Sequence, residues 1–243
     1  LLRARDRFVW FAHEGRGLHD APDAPVSDEP APERIVRAAR ERPGLELVAV
    51  GPMTNVARAL ALDPKLPDRV AALWIMGGHV RKVRLGEREL PPGIDYNLCS
   101  DPEASVAVLG AGFATTLVTA DVTLRTWMTP ADVERLEAAP GALPRALGEM
   151  LRVWSGAQKK LFTDWGAEEP PDFAAFLHDP LTALALVDPS PLRLERLSVL
   201  PTIQRGTLRT LEVPAGQGNE MAVATDVDPG AARRAIVDRL AGL

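Results

Sequence analysis

The order of the apolar segments constrains the fold most. Short apolar runs typical of buried strands alternate with segments of helical spacing. The predicted strands cover residues 8–12, 45–50, 69–76, 115–123, 197–203 and 221–227, and the predicted helices cover residues 33–42, 53–62, 101–112, 131–139, 143–163, 179–187 and 230–241. Strands that alternate with helices in this way build βαβ units, in which a parallel sheet is covered by helices. The sequence therefore predicts an open, mostly parallel, Rossmann-like α/β sheet with helices on both faces.

One domain, residues 1–243, accounts for the whole pattern. The Pro- and Asp-rich residues 20–32 are typical of a surface loop, because the same alternation continues on either side of them. The sequence opens with Leu1 and runs almost at once into the strand-like residues 8–12. We therefore expect the chain to begin partway into its domain, without the first strand–helix unit.

Charge and composition exclude several classes of protein. The net charge is −5, from 28 basic and 33 acidic residues, and no basic stripe is present, so nucleic-acid binding is not expected. No apolar run approaches the roughly 18 residues of a membrane span. Cys99 is the single cysteine and cannot form an internal disulfide, which favours a reducing cytoplasm.

Polar, glycine-punctuated segments follow the predicted strands, where ligands bind in open parallel sheets. "GPMTN" (51–55) follows one strand. Without a functional role, it would be a tight turn in which Thr54 or Asn55 caps the next helix. "IDYNLCSDPEA" (94–104) carries Asp95 and Asn97, which we expect two positions apart in an extended segment and therefore on one face. An acid beside an amide suits the hydroxyls of a sugar, although ordinary loop chemistry is the alternative.

"HDP" (178–180) places two titratable groups in front of an apolar helix. Asp179 fits as an N-cap and Pro180 fits the first helical turn. Helix capping accounts for Asp179 and Pro180 but not for His178. A functional role for His178 therefore has to be considered.

Taken together, these segments resemble a known family. "LVAVGPMTNVARALALDP", "LWIMGG", "DYNLCSDPEASVAVLGAG", "DVT", "HDPLTALAL" and "MAVATDVDPGAARRAIVDRL" occur in the order and spacing of the nucleoside hydrolases, the calcium-dependent N-ribohydrolases that include inosine–uridine-preferring enzymes. The resemblance implies hydrolysis of the N-glycosidic bond of a ribonucleoside to ribose and a free base, through a transition state like an oxocarbenium ion. It also implies a small-molecule nucleoside substrate and a homodimer or homotetramer.

The resemblance assigns a calcium ion and a sugar-binding wall. The carboxylate of Asp179 and the backbone carbonyl of Thr54 would be calcium ligands, and calcium prefers six to eight oxygen ligands. Asn97 and Asp95 would bind ribose hydroxyls, although the family usually has a glutamate where this sequence has Asp95.

Two histidines are assigned to the base by the same resemblance. His178 would face the base and protonate the leaving group, a role that suits a histidine near its unperturbed pKa. His13, in "HEGRGL", would lie near the base pocket.

One family motif is absent. The family carries an Asp-rich loop, D-x-D-P-G-x-D-D, which supplies most calcium carboxylates and activates water, and no such string precedes residue 8. A ribose-binding asparagine expected before Asp95 is also absent from "VRLGEREL". With about five oxygens, calcium would fall short of its usual number. We therefore expect weak or no hydrolysis by this chain alone. A non-catalytic remnant that binds ribosides or a protein partner is the second hypothesis, and an unrelated α/β protein with chance motif matches is the third.

Overall fold

The computed structural model describes residues 25, 27–85, 88–90, 92, 95–164 and 168–243. The helices are α1 (Ala31–Glu41), α2 (Thr54–Leu62), α3 (Leu66–Arg69), α4 (Tyr96–Ser100), α5 (Pro102–Leu109), α6 (Ala120–Thr123), α7 (Pro130–Ala138), α8 (Ala142–Asp164), α9 (His178–Val187) and α10 (Pro229–Ala241). The strands are β1 (Glu46–Ala49), β2 (Ala72–Met76), β3 (Val83–Leu85), β4 (Arg88–Leu90), β5 (Thr115–Val118), β6 (Trp127–Met128), β7 (Ala175–Phe176), β8 (Leu192–Gln204), β9 (Thr207–Val213) and β10 (Asn219–Val227). The predicted strand at 8–12 and His13 lie outside the described residues.

The central sheet of the described residues has six strands in the order β1-β2-β5-β10-β8-β9. The first four strands run parallel, with Leu73 opposite Thr115 and Met76 opposite Val118 in the β2–β5 register. β8 pairs antiparallel with β10, and β9 pairs antiparallel with β8. The prediction of an α/β fold with a mostly parallel sheet is confirmed.

Alternating side chains of the parallel strands build two apolar cores. Leu73, Ile75 and Leu117 face one core, which also contains residues from α1, α2 and α5. Val118 and Ala224 face the opposite core, which contains residues from α7, α9 and α10. Because successive side chains of a strand point to opposite faces, the sheet has helices on both sides, as the sequence predicts.

Several predicted boundaries are wrong. The strand predicted for residues 115–123 ends at Val118, and α6 begins at Ala120. The strand predicted for residues 69–76 begins at Ala72, after the short helix α3. Apolar residues continue across both junctions, so a run of hydrophobic letters alone does not show where a strand becomes a helix.

The antiparallel hairpin β8–β9 extends the sheet, and β9 was not predicted. Arg205 and Gly206 form its turn, with φ angles of 52° and 77°. Positive φ at both central residues is the geometry of a two-residue hairpin turn, and its twist matches that of the flanking strands.

None of the helices among the described residues is long and apolar enough to cross a membrane.

Candidate functional site

The candidate site residues lie beyond the carboxyl ends of β1, β2 and β5, the edge where ligands bind in open parallel sheets. They form two groups. Thr54 follows β1, and Asp95 and Asn97 follow β2. His178 and Asp179 begin α9, which packs in the core on Val118 at the end of β5.

Thr54 is tied to the helix α5 on the far side of the "DYNLCSDP" segment. It is the first residue of α2, where Met53 is the N-cap and makes no side-chain cap bond, so neither Thr54 nor Asn55 caps the helix. The hydroxyl of Thr54 instead donates to Asp101 Oδ2 at 2.6 Å. Asp101 Oδ1 accepts the backbone N–H of Ala104 at 3.3 Å and so caps α5.

Asp95 and Asn97 do not lie in an extended segment. Asp95 is the N-cap of α4, and its Oδ1 accepts the backbone N–H of Leu98 at 3.0 Å. Asn97 lies inside α4, and its Nδ2 donates to the backbone carbonyl of Met76, the last residue of β2, at 3.1 Å. The expectation of a shared strand face is wrong, because the cap bond starts a helix at Tyr96. The two residues are nevertheless adjacent at the end of β2.

Burial shapes the chemistry of Asp95. Removal from water raises the pKa of its carboxyl, while backbone N–H groups of Leu98, Gly78 and Asn97 oppose that rise. Gly77 permits the close packing beside it, because a Cβ there would lie 2.9 Å from Leu98 Cγ. The "GG" that follows β2 therefore allows α4 to approach the strand end.

His178 is held by a hydroxyl. Its Nδ1 lies 2.7 Å from Thr123 Oγ1 at the end of α6, and its ring centroid lies 5.2 Å from that of Phe176. Desolvation lowers the pKa of His178 to about 4. The imidazole is therefore neutral at pH 7 in this structure, which differs from the near-ordinary pKa assumed in assigning it as a proton donor. Phe176 in turn contacts Phe162 and Phe173, and Phe173 contacts Trp127, so an aromatic cluster lies behind the ring that contacts His178.

Asp179 is exposed at the second position of α9, and its predicted role as N-cap is wrong. Leu177 is the N-cap and makes no side-chain cap bond. Partial desolvation raises the pKa of the Asp179 carboxyl. Within the described part of the chain its carboxylate accepts no hydrogen bond, so it stays available to a ligand.

The loop after β2 is clamped by residues far away in sequence. Asp121, in α6, is 4% exposed, and its carboxylate accepts the backbone N–H groups of Val80 at 3.0 Å and Arg81 at 2.6 Å. The backbone N–H of His79 donates to Thr210 Oγ1 of β9 at 2.9 Å. The guanidinium of Arg81 donates through Nε to Glu212 Oε2 of β9 at 2.8 Å.

The structure therefore places five of the six predicted residues at one edge. No direct hydrogen bond among the described residues joins the Thr54 group to the His178 group. Sequence reasoning missed Thr123 as the partner of His178, although it lies in the quoted "DVT". His13 lies outside the described residues.

The donors fit calcium in kind but not in number. The carboxylate of Asp179 and the carbonyl of Thr54 are oxygen donors, which calcium prefers, but six to eight are usual. Across residues 27–85, 95–164 and 168–243, no group of three or more His, Cys, Asp or Glu side chains could hold a metal ion. The described residues thus offer two of the oxygen donors that such an ion would need.

The comparison with known families decides the relationship. The family model "Inosine-uridine preferring nucleoside hydrolase" matches residues 2–234. The chain belongs to this nucleoside hydrolase family. The family resemblance seen in the sequence is confirmed, and it extends across both groups of site residues.

Curated members of the nucleoside hydrolase family share about a third of the aligned residues. The chain is 30% identical over 188 residues to "Probable uridine nucleosidase 1" of Oryza sativa subsp. japonica, an alignment covering 75% of this chain and 54% of that protein. It is 32% identical over 155 residues to "Pyrimidine-specific ribonucleoside hydrolase RihA" of Klebsiella pneumoniae subsp. pneumoniae, covering 64% and 45%. The chain spans about half the length of these curated relatives.

Solved nucleoside hydrolase structures share the fold. "Plant nucleoside hydrolase - PpNRh1 enzyme" superposes with a TM-score of 0.80 at 24% identity, covering 98% of this chain and 76% of that one. "Purine-Preferring Ribonucleoside Hydrolase from Gardnerella vaginalis" superposes with a TM-score of 0.80 at 24% identity, covering 96% and 73%. At these identities the superpositions establish the architecture.

Proposed function

We propose that this protein hydrolyses the N-glycosidic bond of ribonucleosides to ribose and a free base. The observation that carries the proposal is the pairing of His178 Nδ1 with Thr123 Oγ1 at 2.7 Å, directly beside the exposed carboxylate of Asp179. Family membership supports the reaction, and the proposal is further supported by an imidazole and an exposed carboxylate on successive residues at the start of α9.

Asn97 and Asp95 form the sugar side of the proposed site. An amide can donate to one hydroxyl and accept from another, which suits a ribose diol. The contact from Asn97 Nδ2 to the carbonyl of Met76 holds the amide at the end of β2. The carboxyl of Asp95 is largely occupied by backbone N–H groups, so its contribution is to shape this wall and to accept a sugar hydroxyl with its remaining capacity.

His178 forms the base side. The hydroxyl of Thr123 restrains the imidazole at Nδ1, which leaves Nε2 as the ring nitrogen for a bound base. Because desolvation lowers the pKa of His178 to about 4, the proposed proton transfer to the leaving base requires that His178 take up a proton when the substrate is bound. His13, assigned to the base by the family resemblance, belongs to the proposal as well.

Calcium is the proposed cofactor. The carboxylate of Asp179 and the carbonyl of Thr54 would hold it, with sugar hydroxyls and water completing the shell as far as the donors allow. When bound, the ion would orient the ribose diol and polarise a water molecule.

The setting of this activity is also proposed. The substrate is a small-molecule nucleoside, which places the protein in nucleoside catabolism and in purine or pyrimidine salvage. A net charge of −5 disfavours nucleic acid as a partner. The single cysteine favours a cytoplasmic location, and the family resemblance favours a homodimer or homotetramer.

The test uses the purified chain with inosine and with uridine, in calcium and in excess chelator. Asp179→Asn replaces the exposed carboxylate at the start of α9, and Asp188→Asn is the matched control at the end of the same helix. Release of ribose that is lost in chelator and in Asp179→Asn, but kept in Asp188→Asn, supports the proposal. Chelator-insensitive cleavage contradicts the calcium part. Saturable riboside binding without cleavage supports the non-catalytic alternative.

A further inference from the structure

We propose that Asp101 is a positioning residue. It fixes the turn between β1 and α2, here called the Thr54 turn, against the helix α4 that carries Asn97. This inference rests on the proposed function, since it concerns the sugar-binding wall of that site. Its structural basis is the second carboxylate oxygen of Asp101, which helix capping does not use.

The geometry joins three elements through one carboxylate. Asp101 Oδ1 caps α5 by accepting from Ala104, and Asp101 Oδ2 accepts the hydroxyl of Thr54 at 2.6 Å. Asp101 follows directly on Ser100, the last residue of α4. The hydroxyl of Ser105 donates to the carbonyl of Leu98 at 2.9 Å and holds α4 to α5 a second time. The turn after β1 and the helix after β2 therefore share one anchor.

The strength of this link follows from charge. A hydroxyl that donates to an ionised carboxylate forms a shorter and stronger bond than a neutral pair, and an O–H···O⁻ distance of about 2.5–2.7 Å is typical. The Thr54–Asp101 distance of 2.6 Å lies in that range, and both residues are half-buried. Removing the Thr54 hydroxyl, or replacing Asp101 by a serine that still caps α5, releases the Thr54 turn.

Asp228 shows what capping alone looks like in this chain. Like Asp101, it precedes a proline at the first position of a helix, and its Oδ1 accepts the backbone N–H of Ala231 at 2.9 Å. Among the described contacts, Asp228 makes no side-chain bond to another loop. Asp228 is therefore a matched control for the capping role of Asp101.

The experiment compares Asp101→Ser, Thr54→Val, the double variant and Asp228→Ser. Serine keeps the N-cap bond but is too short to span both contacts, and valine removes only the hydroxyl of Thr54. Losing a charge-assisted hydrogen bond worth about 1.4 kcal/mol is a tenfold change. We expect KM for inosine or uridine to rise about tenfold in each single variant, with a smaller fall in kcat, because the loosened turn mainly weakens binding of the sugar and its calcium ion.

Non-additive effects of the two substitutions on KM identify the hydrogen bond between Thr54 and Asp101 as the link. The double variant should have the KM of the single variants, since both break the same bond, while Asp228→Ser should keep the wild-type KM. An equal KM in Asp101→Ser and Asp228→Ser overturns the inference. Should Asp101→Ser fail to fold, Thr54→Val is sufficient for the test, because it keeps every helix cap. An unchanged KM in Thr54→Val overturns the inference.

The proposed function fails in a different way. If the wild-type chain binds ribosides in calorimetry but does not cleave them, the dissociation constant replaces KM in the same comparison. If it neither binds nor cleaves them, the proposed function is overturned, and the inference falls with it. An active wild type with unaffected variants overturns the inference alone.

Discussion

Thr123 holds the imidazole of His178: its hydroxyl oxygen lies 2.7 Å from Nδ1 across 55 positions of sequence. The threonine is fully buried at the end of α6, so the contact is shielded from water. The rotation of the ring is thus restrained by a residue that cannot itself reach a substrate.

Replacing Thr123 by valine removes this hydroxyl and keeps the shape of the side chain. We expect kcat for inosine and uridine to fall about tenfold, a fraction of the 10²–10⁴ that a positioned acid–base group contributes. Thr126→Val is the matched control, since the Thr126 hydroxyl donates to the backbone carbonyl of Val122 at 3.1 Å and is equally buried. An equal loss in both variants would mean that helix packing, not the imidazole, is affected.

Asn97→Ala should weaken substrate binding. The variant removes the amide that lies at the end of β2, and one lost hydrogen bond of about 1–2 kcal/mol corresponds to a roughly 5- to 30-fold lower kcat/KM. Steady-state kinetics measure this change. Asn55→Ala, an exposed asparagine in the neighbouring turn, serves as the comparison and should keep the wild-type value. Wild-type kinetics in Asn97→Ala would remove this residue from the sugar wall.

Asp121→Asn should destabilise the fold. The carboxylate of Asp121 accepts two backbone N–H groups in a buried position, and an amide offers only one acceptor oxygen. A buried unsatisfied donor costs about 1–3 kcal/mol, which urea unfolding can measure as a lower midpoint. Asp68→Asn changes an exposed residue of α3 and should stay within about 0.5 kcal/mol of the wild type. Equal midpoints for the two variants would refute the buried clamp.

The Arg81–Glu212 pair should make the free energy of unfolding depend on pH in the acidic range. The hydrogen bond from the Arg81 guanidinium holds the pKa of Glu212 below its ordinary value of 4.5. Because the pKa is lower in the folded state, the pair stabilises the protein above about pH 4.5 and loses this effect as the pH falls through the lowered pKa. The effect is at most about 1 kcal/mol, since both side chains are partly exposed.

Melting temperatures at pH 7 and at pH 3 test this dependence. Glu212→Gln should melt lower than the wild type at pH 7, and the difference should shrink at pH 3, because the contribution of the lowered pKa of Glu212 is lost as the pH falls below the ordinary value. Glu220→Gln, an exposed residue of β10, controls for the loss of a charge. A constant difference between Glu212→Gln and the wild type at both pH values would contradict the assignment.

The sequence was sufficient for the parallel strands of the sheet and for the edge at which the candidate residues lie. Alternating apolar runs predicted the parallel strands, and the polar residues after them predicted the edge at which Thr54, Asn97 and His178 lie. The local geometry of Asp95 was not predictable in the same way, because the same acid fits an extended segment or a helix cap until its hydrogen-bond partner is known.

The partners in long-range hydrogen bonds were the other feature that the sequence did not predict. The bond from Thr54 to Asp101 spans 47 positions, and that from Thr123 to His178 spans 55. Short-range periodicity carries no information about such pairs, since it reports only which face of an element is apolar. The second strand of the hairpin β8–β9 was not predicted, because its Arg205–Gly206 turn is not one of the Asn-Gly or Asp-Gly pairs that mark such turns in a sequence.

The clamp on the loop after β2 has a consequence for the order of assembly. His79 and Arg81 take their partners from Thr210 and Glu212, each 131 positions later in the chain. During translation at about 5–20 residues per second, those partners leave the ribosome several seconds after the loop does. The loop after β2 therefore stays without these partners until the closing hairpin has been synthesised and has docked.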